Sequence, residues 1–185
     1  MSDRRFSELA ACGEFFRLVY ADPPWKFRDS ASAGKRGAVH KYPVMDTREI
    51  CRLPVPEICE RDAVLALWWV GAMPGDALDV IHFWGFRLVT LTGLVWMKRT
   101  KTGRPHVGMG HWTRAGSECC AIAVRGRPPR ACAGVQQVIE APIREHSRKP
   151  DEARDRLVML CGDVPRIELF ARQRADGWQS WGNEL

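Results

Sequence analysis

The residues most suited to chemistry are Asp22-Pro23-Pro24-Trp25, at the end of the apolar run FFRLVY. An ordinary strand exit needs no acid, two prolines and a tryptophan together. Proline has no backbone N–H, so Pro23 and Pro24 offer carbonyls on a stiff segment. Asp22 adds carboxylate acceptors and Trp25 a flat apolar plate. Acceptors beside an aromatic plate suit a planar ring bearing an NH2 group, such as adenine. That amine is a poor nucleophile because its lone pair is delocalised into the ring. The Asp22 carboxylate and the Pro23 carbonyl can take its two hydrogens, which favours a more tetrahedral nitrogen with its lone pair aimed at an electrophile. The remainder is positioning in a preorganised polar site. Trp25 would stack on a base that reaches it only after unstacking or flipping. The plainer reading is that Pro-Pro ends a strand and Trp25 is core.

The elements that must hold these residues follow from the hydrophobic pattern. FFRLVYAD, AVLALWW, LVTLTGLVWMK, ECCAIAVRG, VQQVIEA and RIELFAR read as strands. DTREICRLP reads as a short helix capped by Asp46 or Thr47. GDALDVIHFWGF reads as a helix stopped by Gly85. KPDEARDRLVMLCG is a third, with Pro150, Asp151 and Glu152 in its first turn and Gly162 past its end. Strands that are apolar throughout and alternate with helices predict a mostly parallel sheet with helices on both faces. Ligands of such sheets bind at the carboxyl ends of the strands, where DPPW falls. The chain of 185 residues suffices for a single domain, 1–185.

Bulk composition narrows the class. With 45% hydrophobic and 27% charged residues the chain is globular rather than disordered. AVLALWWVGAM is too short to span a bilayer, and MSDRRFSELA lacks a secretory apolar core, so no membrane association and a cytoplasmic location are expected. Seven cysteines without CxxC spacing predict reduced thiols. His106, His111, Cys119 and Cys120 match no familiar zinc finger, and no metal is expected. The net charge of +6 fits a nucleic-acid partner. Three runs carry it. One holds Lys26, Arg28, Lys35, Arg36 and Lys41. The second holds Lys98, Arg99, Lys101, Arg104 and Arg114. The third, RGRPPR, holds Arg125, Arg127 and Arg130. All three flank motif segments, which predicts a cationic funnel around a base pocket that tracks phosphates with little sequence preference.

From about Arg17 onward the chain resembles the S-adenosylmethionine-dependent adenine-N6 methyltransferases of the DPPW type. The resemblance rests on ADPPW, YPVMDTREICRLPVP, LALWW, FWGFRLVTLTGLVWMK, GMGHWTRAGSE, VRGRPP, EAPIREHSRKPDE, RIELFAR and GWQSWGNEL, in that order. It implies a Rossmann-like class I methyltransferase in permuted order, with the target-amine motif before the cofactor strand. It implies S-adenosylmethionine as cofactor. Catalysis is then carried by Asp22, Pro23, Pro24 and Trp25. Lys149 resembles the lysine that holds the cofactor's carboxylate. Arg172, Asn183 and Glu184 resemble the residues that grip its ribose, although the family often has Gln where Glu184 stands. Asp22 also meets the cofactor. Tyr42, His111, Trp112 and Glu118 resemble residues of the base pocket, with Ser147, Lys35 and Arg36 facing the target. The glycine-rich cofactor turn of other methyltransferases is absent, as it is from the family.

The resemblance favours a bacterial or phage enzyme acting on adenine in DNA. RNA is the alternative polymer, since nothing in the basic loops separates the two. Methylation of a protein glutamine amide is disfavoured, because such enzymes usually begin the tetrapeptide with Asn and end it with Tyr. A non-catalytic nucleic-acid-binding subunit is the reading from another class. The chain has no spare segment for groove readout, so low sequence selectivity is expected, with a homodimer or partner subunit supplying more.

Overall fold

The structure is a computed structural model that describes residues 6, 8–9, 13–26, 44–108, 110, 112–145 and 148–182. Its centre is one seven-stranded sheet in a mixed α/β arrangement. In chain order the elements are β1 (Phe16–Ala21), α1 (Thr47–Cys51), a 3-10 turn (Val55–Ile58), β2 (Cys59–Trp69), α2 (Pro74–Phe83), β3 (Arg87–Arg99), β4 (Ser117–Arg125), β5 (Val138–Pro142), α3 (Glu152–Cys161), β6 (Arg166–Leu169) and β7 (Gln179–Trp181). The strand order is β5-β3-β4-β2-β1-β6-β7. β1 pairs in parallel with β2 and β6, β6 with β7, and β3 with β5. β4 is antiparallel to both of its neighbours, so it alone among the described strands runs against the rest.

Both faces of the sheet are covered, which is why β1 and β2 are apolar throughout. Val19, Ala21, Leu65 and Leu67 pack with Ile50 of α1 and with Val80 and Ile81 of α2. Leu18, Tyr20, Val64, Ala66 and Trp68 face the other way, onto Ala153, Leu157 and Cys161 of α3. The caps fall close to where the sequence places them. Asp46 accepts from the Arg48 amide while Glu49 accepts from the Asp46 amide, closing a capping box. Gly85 and Gly162 have φ of 75° and 83° just past their helices, the left-handed region that favours glycine.

Three features depart from the sequence reading. β4 breaks the parallel pattern. RIELFAR is a strand only to Leu169, because Phe170 turns out of it at φ 62°. β7 is too short to show a period, yet it adds an edge strand in register with β6, pairing Leu169 with Trp181.

Candidate active site

Strand alternation gathers the site. Tyr20, Trp68, Trp96 and Cys120 are buried on the α3 face of the sheet. Two residues further along their strands, on the same face, come Lys98 on β3 and Glu118 on β4. Asp22 follows one residue after β1 ends. Glu118 is the cross-strand partner of Trp96. β4 is antiparallel, so its first residues meet the carboxyl ends of β1, β2 and β3. Lys149 arrives from the segment before α3. Lys98, Glu118 and Lys149 line a cleft of about 410 Å³ with Asp22, Pro23, Pro24 and Trp25, and with Trp68–Gly71, Ala115, Ser117, Cys119 and Arg172. That volume is in the range of small-molecule sites.

The polar floor of the cleft is a chain of alternating charge. Lys149 Nζ lies 2.9 and 2.8 Å from the two carboxylate oxygens of Asp22, and 3.1 Å from Glu118 Oε2. Glu118 Oε1 is 2.5 Å from Lys98 Nζ. Both ammonium groups also sit over tryptophans, Lys149 at 5.5 Å from the Trp68 ring and Lys98 at 5.2 Å from Trp96. Burial alone would lower the Lys149 pKa, but the Asp22 and Glu118 carboxylates outweigh it and hold the ammonium above its ordinary value. Burial alone would raise Glu118, but Lys149 and Lys98 outweigh it and hold the carboxyl below its ordinary value. Glu118 is thus an acceptor and Lys149 a cation across the neutral range.

A smaller cavity of about 50 Å³ adjoins the cleft, and Asp22, Lys149 and Arg172 line both. Its remaining walls include Tyr20, Arg148, Arg154, Glu168 and Phe170. Glu168, the cross-strand partner of Tyr20, is buried and held by Arg154 Nε at 2.7 Å. Burial pushes its carboxyl above the usual range despite that guanidinium. Arg154 also donates to Asp151 at 2.7 Å, and Arg144 and Arg148 converge on the same carboxylate. These contacts tie the Lys149 segment to β6.

The MT-A70 family model matches residues 16–184. The chain belongs to the MT-A70 family. It is 27% identical over 188 residues to the type II methyltransferase M.MunI of a Mycoplasma species, covering 92% of this chain and 78% of that one. It is 30% identical to the human N(6)-adenosine-methyltransferase catalytic subunit METTL3 and 31% identical to the Drosophila melanogaster MT-A70-like protein. Each alignment spans 192 residues and covers 99% of this chain. The chain spans 78% of the bacterial relative and about 30% of these two animal ones. Methyltransferases of the MT-A70 family depend on S-adenosylmethionine. The residues here fit that group. Two carboxylates and two cations, Asp22, Glu118, Lys149 and Arg172, offer both signs of charge to a zwitterion beside an apolar wall.

Several expected site residues of this MT-A70 chain meet in the cleft, and others do not. Asp22, Pro23, Pro24, Trp25, Glu118, Lys149 and Arg172 are brought together. Trp112 is fully exposed and does not line it. Tyr42, His111, Ser147, Lys35, Arg36, Asn183 and Glu184 lie outside the described residues. Trp25 is anchored rather than free. It is 7% exposed, and its indole N–H donates to the Trp68 carbonyl at 3.0 Å, so only part of the ring meets the cleft. The Pro23 carbonyl accepts from the Trp25 amide at 2.8 Å, leaving one lone pair for a ligand.

The funnel expectation needs two corrections. Lys98 is paired with Glu118, and Arg99 with Glu140 at 2.9 Å, so neither is a free phosphate contact. RGRPPR is not at the cleft at all. Arg125 pairs with Ala63 at the end of β4 opposite Cys119 and Trp69, because β4 runs antiparallel. Sequence reasoning placed Lys98 in a basic run around the pocket but not in the cleft itself, and it did not single out Trp68 as lining it. Their signal was the two-residue spacing Trp96–Lys98, parallel to Tyr20–Asp22.

Proposed function

We propose that the chain transfers the methyl group of S-adenosylmethionine to the exocyclic amine of adenine in DNA, with low sequence specificity. The observation that carries this reading is the DPPW segment at the carboxyl end of β1, with Asp22 held by Lys149 in a cleft shared with Glu118. In this reading the fold is a Rossmann-like class I methyltransferase in permuted order. Residues 1–185 form one domain in this reading. Asp22, Lys149 and Arg172 hold the cofactor, joined by Asn183 and Glu184. When bound, the cofactor supplies an electrophilic methyl group.

The chain's own residues then act on the amine. Asp22 and the remaining lone pair of the Pro23 carbonyl accept its two hydrogens, which localises the nitrogen lone pair. Pro24 holds this geometry, since its carbonyl accepts from the Met45 amide at 2.8 Å. The anchored Trp25 ring walls the base slot. Glu118, kept ionised by two lysines, accepts from the base or its sugar. Tyr42, His111, Trp112, Ser147, Lys35 and Arg36 complete the substrate surface. The proton released from the amine passes to Asp22 or to water. The protein acts in the cytoplasm of a bacterium or its phage. No described helix is long and apolar enough to cross a membrane.

The second reading keeps the chemistry and changes the polymer to RNA. It is favoured by the relatives named N(6)-adenosine-methyltransferases, one of them as a catalytic subunit, which also favours a partner subunit or homodimer here. The test is methyl transfer from labelled cofactor to matched single-stranded DNA, duplex DNA and RNA, with nucleosides identified by mass spectrometry. Methyladenine in DNA is expected. Label confined to RNA would replace the substrate and keep the mechanism. Asp22→Ala is expected to lower turnover by roughly 10³-fold, and near-normal turnover by that variant would remove Asp22 from the chemistry.

A further inference from the structure

The RGRPPR run was expected at the cleft and is instead built into the opposite edge of the sheet. From Trp69↔Cys119 to Ala63↔Arg125 the β2–β4 ladder advances six residues, about 20 Å at strand spacing. The loop there is rigid at both ends. The Arg127 amide donates to Asp62 Oδ1 at 2.6 Å, and the Ala131 amide donates to the Leu160 carbonyl at 2.8 Å. Gly126 has φ 61°, and a side chain there would collide with the Asp62 carboxylate and the Arg61 carbonyl. Pro128 and Pro129 stiffen what remains.

This framework holds arginines out to solvent. Arg61, Arg87, Arg127 and Arg130 are exposed, and none forms an ion pair among the described residues. Arg87 pairs across strands with Val124 near the end of β4, beside the root of the loop. The Arg61 carbonyl lies against Gly126, and Arg61 shares the face of Ala63 while Arg87 shares that of Val124, so the strand ends present one arginine on each side of the loop. The Asp62 carboxylate is engaged by the Arg127 backbone amide rather than by a guanidinium. Arg17 and Arg166, on adjoining strands, are neutralised by Glu60 and Asp163 and add nothing. Arginine forks on a fixed loop suit phosphate oxygens, which they can grip bidentately.

We propose that the 126–131 loop and the adjoining strand ends form a second phosphate-contact surface for the polynucleotide whose adenine enters the cleft. This rests on the proposed function. The two sites are separated by about 20 Å, which corresponds to about six base pairs of duplex at 3.4 Å each. A polymer longer than this reaches both, and a shorter one reaches only the cleft. The surface is sequence-blind, because phosphate contacts carry no base information. It adds affinity without touching the reacting atoms.

The experiment is binding of the full chain to a DNA duplex of about 20 base pairs and to an oligonucleotide of about four nucleotides, across a salt series. Arg127→Glu/Arg130→Glu is compared with wild type and with Arg127→Gln/Arg130→Gln. For the long duplex we expect about tenfold weaker binding by the charge-reversed variant. We also expect a salt slope shallower by about 1.8, two phosphate contacts at about 0.9 each. The neutral variant loses the same two contacts, so its slope should change by the same amount while its affinity falls less. Binding of the short oligonucleotide and turnover at saturating short substrate should be unchanged. If the wild type binds and methylates the long duplex and the variants match it in affinity and slope, the second surface is overturned while the proposed function stands. Equal losses on short and long ligands would place these arginines at the cleft and overturn it too. A wild type that binds no polynucleotide would overturn both.

Discussion

The cleft at the carboxyl edge of the sheet and the 126–131 loop at its amino edge use their basic residues in opposite ways. Around the cleft six cations have carboxylates: Lys149 on Asp22 and Glu118, Lys98 on Glu118, Arg99 on Glu140, and Arg144, Arg148 and Arg154 on Asp151. At the amino edge Arg61, Arg87, Arg127 and Arg130 stand without one among the described residues. A count of lysines and arginines along the sequence sees basic runs of the same kind at both places. Pairing decides that one builds a polar cavity and the other faces outward with charge to spend on a polyanion.

The comparison is broken most directly at Lys149. It is 11% exposed, and removing it leaves two carboxylates close together without their shared cation. Lys149→Met is expected to destabilise the fold by about 3 kcal/mol, read as a shift of the urea midpoint at neutral pH. The amino-edge double variant Arg127→Gln/Arg130→Gln should change the same midpoint by less than about 0.5 kcal/mol. Equal effects at both edges would dissolve the distinction. At the loop root, Gly126→Ala must place a side chain at positive φ against Asp62, and about 2 kcal/mol of destabilisation is expected by the same measurement. No loss there would mean the arginine loop is not rigidly held.

The pH dependence sharpens the contrast further. Glu118 is held below its ordinary value, so its contribution is complete above about pH 4.3 and is lost as pH falls through its folded value. Lys149 is held above its ordinary value, so its contribution is complete below about pH 10.4 and is lost as pH rises through its folded value. Lys98→Met takes away one of the two cations on Glu118. It should lower neutral stability by about 1 kcal/mol and flatten the acid-side decline, measured by urea unfolding at neutral and acid pH. An unchanged acid profile would detach Lys98 from Glu118.

Much of this fold is legible in the sequence. β1 and β2 show as apolar runs because both of their faces are buried, and α1 and α3 show through Asp46 and Gly162, whose roles are local. Asp22 is legible because an acid before Pro-Pro has few other uses. The direction of β4 is not legible, since ECCAIAVRG has the same apolar pattern whichever way it runs. That one unknown misplaced Arg125, Arg127 and Arg130 by the length of the sheet. Lys98 was hidden for a different reason. It sits in a basic run, and only the cross-strand placement of Glu118 separates it from its neighbours.

The wall between the two cavities has a thermodynamic consequence. Asp22, Lys149 and Arg172 belong to both. A ligand on one side that draws Lys149 away from Asp22 changes the charge presented on the other. Occupancy of the two chambers is therefore linked, and by reciprocity each ligand alters the affinity of the other by the same factor. In the proposed reading the cofactor and the base both bear on Asp22, so a cofactor analogue should shift the dissociation constant of a base analogue, and the base analogue should return the shift in equal measure.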